Sequence, residues 1–211
     1  VAMEEATFAG VSINATVSFT VAQALAVAEA VERGLQRRLA AGLAIDSISS
    51  VCTIMVGRLD DYMRALVEVE GVSIDPGHLE WAGIAVFKRA YAVYQERGYR
   101  LRLLSAAFRN HMHWSELVGG DVVISPPFPW QERLNASGIA PVPRIHIPVD
   151  GARVAELERR IPEFRRAYEV DGLSPEEFLD YGATRRTLRQ FLSATADLES
   201  FVRDALLPDA P

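Results

Sequence analysis

Residues Val11 to Phe19, VSINATVSF, alternate without a break: Val11, Ile13, Ala15, Val17 and Phe19 fall on one face, and Ser12, Asn14, Thr16 and Ser18 on the other. A period of two over such a stretch describes a strand with one apolar and one polar face. Thr20 then opens a run in which Val21, Leu25, Ala28, Val31, Leu35 and Leu39 recur at helical spacing, with Gln23 placed as its capping-box partner. The order strand then helix returns. SISSVCTIMVG (47–57) reads as a second strand, followed after Arg58 by a short helix from Asp60 and a longer one from His78 to Arg97. YRLRLLSAA (99–107) reads as a third, with a brief helix around Trp114 to Val118, and DVVIS (121–125) as a fourth, ended by Pro126 and Pro127. No Asn-Gly or similar hairpin turn joins them, so the spacing predicts parallel pairing through crossover helices.

Composition narrows the class further. With 49% hydrophobic and 24% charged residues over 211 positions, the chain is too apolar for general disorder, and 14 glycines with 11 prolines are too few for a linker or fibrous repeat. No run approaches about 18 apolar residues, and VAMEEATFAG has neither a basic nor a long apolar region, so the expectation is a cytoplasmic protein without membrane association. The chain starts at Val1 inside what reads as a helix stopped by Gly10, which looks like a cut in a longer chain. A formal charge of −6 argues against a nucleic-acid partner. A single cysteine, Cys52, excludes an internal disulfide. Lys88 is the only lysine, so any lysine chemistry must use it or nothing.

Both a doubly wound sheet and a (β/α)8 barrel accommodate four βα units, but no Gly-rich phosphate turn follows the first strand. The polar strand face favours the barrel, a TIM-type α/β fold whose inward side chains near the C-terminal strand ends build the active site. Asn14, Thr16, Arg58 and Arg109 all fall at or just past such ends. A complete barrel takes about 250 residues, so these four units are half of one. After Pro141 and Pro143 the pattern turns helical: Ala152 to Arg160, a Ser174-Pro175-Glu176-Glu177 helix start, then Arg185 to Leu206.

Four segments, INATVSF (13–19), VGRLDD (56–61), AAFRN (106–110) and YGATRRTLRQF (181–191), together resemble transaldolase, in that family's order and over nearly the whole chain. The resemblance implies a partial TIM barrel in which residues 1–138 are strands five to eight and 139–211 a Pro-containing linker with helices packed on it. It implies transfer of a dihydroxyacetone unit from a ketose phosphate to an aldose phosphate through a lysine Schiff base, as in the pentose phosphate pathway, with no cofactor and no metal. The Schiff-base lysine and the acid/base carboxylates of the family stand on strands one to four, outside this sequence, so the chain alone is expected to be inactive. By the same resemblance Thr16 positions the catalytic water, Asn14 contacts substrate hydroxyls, and Arg58 and Arg109 bind phosphate. Thr53 and Met55 replace the Ser and Phe usual before Val-Gly-Arg and are further candidates for substrate contact. Ala107 replaces a Ser, removing one hydroxyl from the phosphate site. Opened barrel edges imply self-association or pairing with an N-terminal half.

Plainer readings of the same residues stand beside these. Asn14 and Thr16 could satisfy one another, and Arg58 and Arg109 could pair with Asp60 or Glu116 on the surface. Lys88, in a helix, is expected to be solvated. His111 and His113 lack the partners of a metal shell, Cys52 reads as a small core residue, and Arg185, Arg186 and Arg189 as a solvated face. A non-catalytic phosphosugar-binding or assembly module is therefore the alternative function.

Overall fold

The computed structural model describes residues 1–207. Four strands, β1 (Asn14–Ser18), β2 (Val51–Ile54), β3 (Arg102–Ala106) and β4 (Val122–Ser125), form one sheet in sequence order with every pair parallel. Helix α1 (Ala2–Phe8) precedes β1. The crossovers are α2 (Val21–Ala40), then α3 (Val56–Glu70), α4 (Pro76–Leu79) and α5 (Ala82–Arg97), then the single turn α6 (Met112–Ser115). Sequential parallel order with a crossover at each step is the winding of a (β/α)8 barrel, here a partial one. Helices α7 (Phe128–Ala136), α8 (Gly151–Arg160), α9 (Pro162–Tyr168) and α10 (Gly182–Leu206) follow, so a helical extension closes the chain.

One face of the sheet carries the core. Cys52, Ile54 and Leu103 are buried against Phe19, Leu25, Leu59 and Phe87 of the surrounding elements. The other face, where Asn14, Thr16, Thr53, Met55, Leu104 and Ser125 stand in register, is polar at its β1 and β4 margins, and Asn14, Thr16 and Ser125 are exposed there. The alternation predicted Ser18 on that polar face. Instead Val17 adopts a left-handed backbone (φ 59°), the register slips between Ala15 and Ser18, and Ser18 turns inward to accept a weak hydrogen bond from the Cys52 thiol at 3.9 Å. For a β-branched residue this conformation costs on the order of 1–3 kcal/mol, and such costs gather at functional sites.

Local signals fixed several boundaries. Thr20 caps α2 by accepting from the Gln23 amide at 3.0 Å, while the Gln23 side chain accepts from Phe19 N at 2.9 Å. Ser174 and Glu177 make a reciprocal capping box over the short 3₁₀ turn Pro175–Glu177. Other boundaries moved. Helix α3 begins at Val56, so Arg58 lies in its first turn rather than in a loop, and α6 precedes its expected position by two residues at the start. No periodicity announces α7, which has Pro127 as its N-cap and buries no residue.

Lys88 corrects a stronger expectation. It lies in α5 but is buried, and its ammonium donates to Glu116 Oε2 at 2.8 Å, to the Arg144 carbonyl at 3.0 Å and to the Ile147 carbonyl at 2.9 Å. The Arg144 guanidinium holds the other Glu116 oxygen at 2.6 Å. Satisfying all three donors makes the burial tolerable. The result ties the linker between α7 and α8 to the barrel.

Candidate active site

The four expected site positions do not share one strand end: Asn14 is the first residue of β1, paired with Val51 at the start of β2, and Thr16 is in mid-strand, whereas Arg58 and Arg109 follow the C-terminal ends of β2 and β3. Asn14 and Thr16 project from β1 onto the open face, and Asn14 Oδ1 accepts from the Thr53 hydroxyl of β2 at 2.7 Å. The hydroxyl partner of Asn14 is thus Thr53 and not Thr16. Met55 is the residue that caps α3, its carbonyl accepting from Arg58 N at 3.0 Å.

Arg58 and Arg109 are brought together by a close backbone approach. A Cβ on Gly57 would lie 1.9 Å from the Ala107 carbonyl oxygen and 2.7 Å from Arg109 Cγ, so only glycine lets the start of α3 meet the turn after β3. Ala107 reaches that turn in a left-handed conformation (φ 63°). The two guanidinium groups are near enough that, after burial, the Arg109 charge is the main influence lowering the pKa of Arg58. Crowding two like charges disfavours both unless an anion joins them.

Their present partners differ. Arg58 donates to the Gln190 side-chain oxygen and stands 5.0 Å from the Phe191 ring centroid, both on α10. Arg109 is more fully occupied: Nε and Nη2 grip the Asp61 carboxylate at 2.9 and 2.7 Å, and Nη1 donates to the carbonyls of Ala107 and Phe108. Its acid partner is therefore Asp61, not Asp60 or Glu116.

Asp60 faces the other way. It is fully buried, and its Oδ2 meets His113 Nε2 at 2.8 Å while Oδ1 accepts from Gly83 N at 2.8 Å. Burial pushes the Asp60 carboxyl up, against the opposing pull of the His113 hydrogen bond. His113 Nδ1 accepts from the Arg109 amide at 3.0 Å, so the imidazole carries its proton on Nε2. His111 is exposed beside it. Among the described residues no group of three or more His, Cys, Asp or Glu is placed to hold a metal ion, and no helix is long and apolar enough to cross a membrane.

The closing segment YGATRRTLRQF divides into an anchor and a contact. Tyr181 is fully buried and edge-on to Tyr62, a Cβ on Gly182 would lie 2.0 Å from the Tyr62 hydroxyl, and Thr184 accepts from the Gln23 amide at 3.1 Å. Arg185, Arg186 and Arg189 are exposed. Gln190 and Phe191, one turn further, reach the rim at Arg58. Sequence reasoning gave these two no role, nor Asp61, and no property of the isolated residues marks them.

A four-stranded parallel sheet wound with helices in sequence order, with two neighbouring arginines past the C-terminal ends of β2 and β3, defines a partial TIM-type barrel protein. The comparisons specify it further. A family model described as Transaldolase/Fructose-6-phosphate aldolase matches residues 1–166, and the chain belongs to that family. A transaldolase of Thiobacillus denitrificans (strain ATCC 25259 / T1) is 28% identical over 180 residues, an alignment covering 75% of this chain and 50% of that protein. The chain thus spans about half the length of that relative.

Proposed function

We propose that this chain forms strands five to eight of a transaldolase barrel, with residues 139–211 covering it, and that the assembled protein transfers a dihydroxyacetone unit between sugar phosphates of the pentose phosphate pathway. The observation that supports the reading is the meeting of Arg58 and Arg109 past the ends of β2 and β3. In this reading Arg58 receives the phosphate first, its four remaining N–H donors suiting a dianion, and Arg109 completes the clamp by giving up part of its hold on Asp61. Asn14 contacts substrate hydroxyls. Thr16 positions the water that releases the product, and Thr53 keeps Asn14 oriented.

The Schiff-base amine has to come from another part of the barrel. Lys88 is the only lysine in the sequence, and its three donors are spent on Glu116 and the linker carbonyls of Arg144 and Ile147. The same fact favours a second reading, a phosphosugar-binding module without catalysis. The open β1 and β4 edges suit either pairing with an N-terminal half or self-association. Borohydride trapping with fructose 6-phosphate, followed by mass measurement of the intact chain, tests the assignment. The chain alone should gain no dihydroxyacetone adduct, and supplying strands one to four of a transaldolase should produce one on that added half. An adduct on Lys88 would overturn the placement of the chemistry, and binding without any adduct in the assembled barrel would favour the second reading.

A further inference from the structure

Asp60 and His113 form a fully buried pair that takes no part in the reading above, yet each touches one side of the arginine rim. Asp60 sits two residues after Arg58 in the first turns of α3; His113 sits on α6 and accepts from the backbone of Arg109 itself. Through Oδ1, Asp60 also holds Gly83 at the start of α5, where a Cβ would lie 2.4 Å from the Val56 carbonyl oxygen. One pair therefore joins the helix start that carries Arg58, the turn that carries Arg109 and the helix that backs both. Burying such a pair is costly, and a well-packed apolar pair would do as well for stability alone. What an apolar pair cannot do is accept a hydrogen bond at Nδ1.

We propose that His113, held by Asp60 with its proton on Nε2, is the positioning residue that fixes the Arg109 amide and so sets where the Arg109 guanidinium meets a substrate phosphate. Asp60 keeps Nδ1 unprotonated by accepting from the opposite ring nitrogen, the same division of labour by which an outer carboxylate fixes a ligating histidine. Without the acceptor, the Arg109 amide is left unpaired in a half-buried turn that is already strained at Ala107. The inference rests on the phosphate reading of Arg58 and Arg109.

Two substitutions separate positioning from mere support. In His113→Asn an amide oxygen stands near the place of Nδ1 and nothing reaches Asp60; in His113→Gln an amide nitrogen reaches Asp60 and the acceptor for Arg109 is lost. Binding of inorganic phosphate and of fructose 6-phosphate to the full chain is measured by calorimetry, with thermal unfolding recorded for each variant. Positioning predicts that His113→Gln weakens both ligands about tenfold while His113→Asn stays within about twofold, whatever each does to the melting temperature. In the parent, the 15N resonance of Nδ1 should be that of an unprotonated nitrogen, and the Arg109 amide should shift with phosphate along the same binding curve. This second readout decides the matter if His113→Gln does not fold. Parent-like binding by His113→Gln beside a weakened Arg58→Ala, or equal losses in both His113 variants, or a protonated Nδ1, would overturn the positioning role. Unchanged binding in Arg58→Ala would remove the phosphate site and this inference with it.

Discussion

Replacing Lys88 by Met removes an ammonium from a site where it makes three hydrogen bonds, one of them an ion pair, with side-chain exposures of only 7% for Lys88 and 7% for Glu116. Breaking a buried pair by removing one partner costs about 3–5 kcal/mol, because the remaining charge stays desolvated. Here Glu116 retains the Arg144 guanidinium at 2.6 Å, so the expected loss is near the lower end, about 3 kcal/mol. For a domain of this size that corresponds to a fall in Tm of roughly 6–12 °C. Two of the three acceptors lie in the linker, so the loss should include local release of residues 144–147, visible as faster amide hydrogen exchange there. Urea denaturation at pH 7 followed by circular dichroism gives the global value. The double variant Lys88→Met/Glu116→Leu, which leaves neither charge buried, should lose less than the sum of the two single variants. A Lys88→Met protein within about 0.5 kcal/mol of the parent, the range of an ordinary surface change, would refute the clamp.

The same carboxylate should write itself into the acid limb of stability. Burial opposes the charge on Glu116, but hydrogen bonds from Lys88 and Arg144 outweigh it and hold its pKa below the ordinary 4.5. A lowered folded-state pKa adds stability that is complete above 4.5 and is lost as pH falls through the lower folded value, so between pH 7 and pH 3 the parent should lose more stability than Glu116→Gln. Asp60, raised by burial, has the opposite slope above 3.8, which the comparison cancels. Cys52 is fully buried, and burial pushes its thiol up to about 12, so iodoacetamide at pH 8 should leave the native chain unlabelled and modify it once in urea. Gly57→Ala should destabilise by about 1–3 kcal/mol through overpacking against Ala107 and weaken phosphate binding with it; a soluble variant with parent-like stability would show that the approach of the two turns is loose.

The fold was legible because its signals are local. The alternation of residues 14–16, the Thr20 cap and the Ser174 capping box each depend on neighbours within a few positions, and the structure uses them as the pattern predicts. What failed depends on tertiary context. Ser18 leaves the polar face because one residue, Val17, takes a left-handed backbone that no periodicity encodes. Lys88 reads as a surface residue until Glu116 and the linker carbonyls, 28 to 59 positions away, supply its partners. At the rim, motif spacing placed Arg58 and Arg109 near strand ends, but their partners Asp61 and Gln190 lie 48 and 132 positions distant. The glycine that joins the two arginines was part of the VGR segment, and its meaning emerges only from the carbonyl it must clear.

Titration of the full chain with fructose 6-phosphate and with fructose tests the central claim most directly, since two rim arginines should recognise the phosphate and little else. The parent should bind the phosphorylated sugar selectively, and Arg58→Ala and Arg109→Ala should each weaken it by about tenfold or more, at 1.4 kcal/mol per decade and roughly 1.5–3 kcal/mol per charge-assisted contact. Arg58→Ala should be the more severe, because Arg109 is already engaged by Asp61, and the exposed tail variant Arg186→Ala should bind as the parent does. Equal affinity for the two sugars, or parent-like binding by both rim variants, would contradict the account.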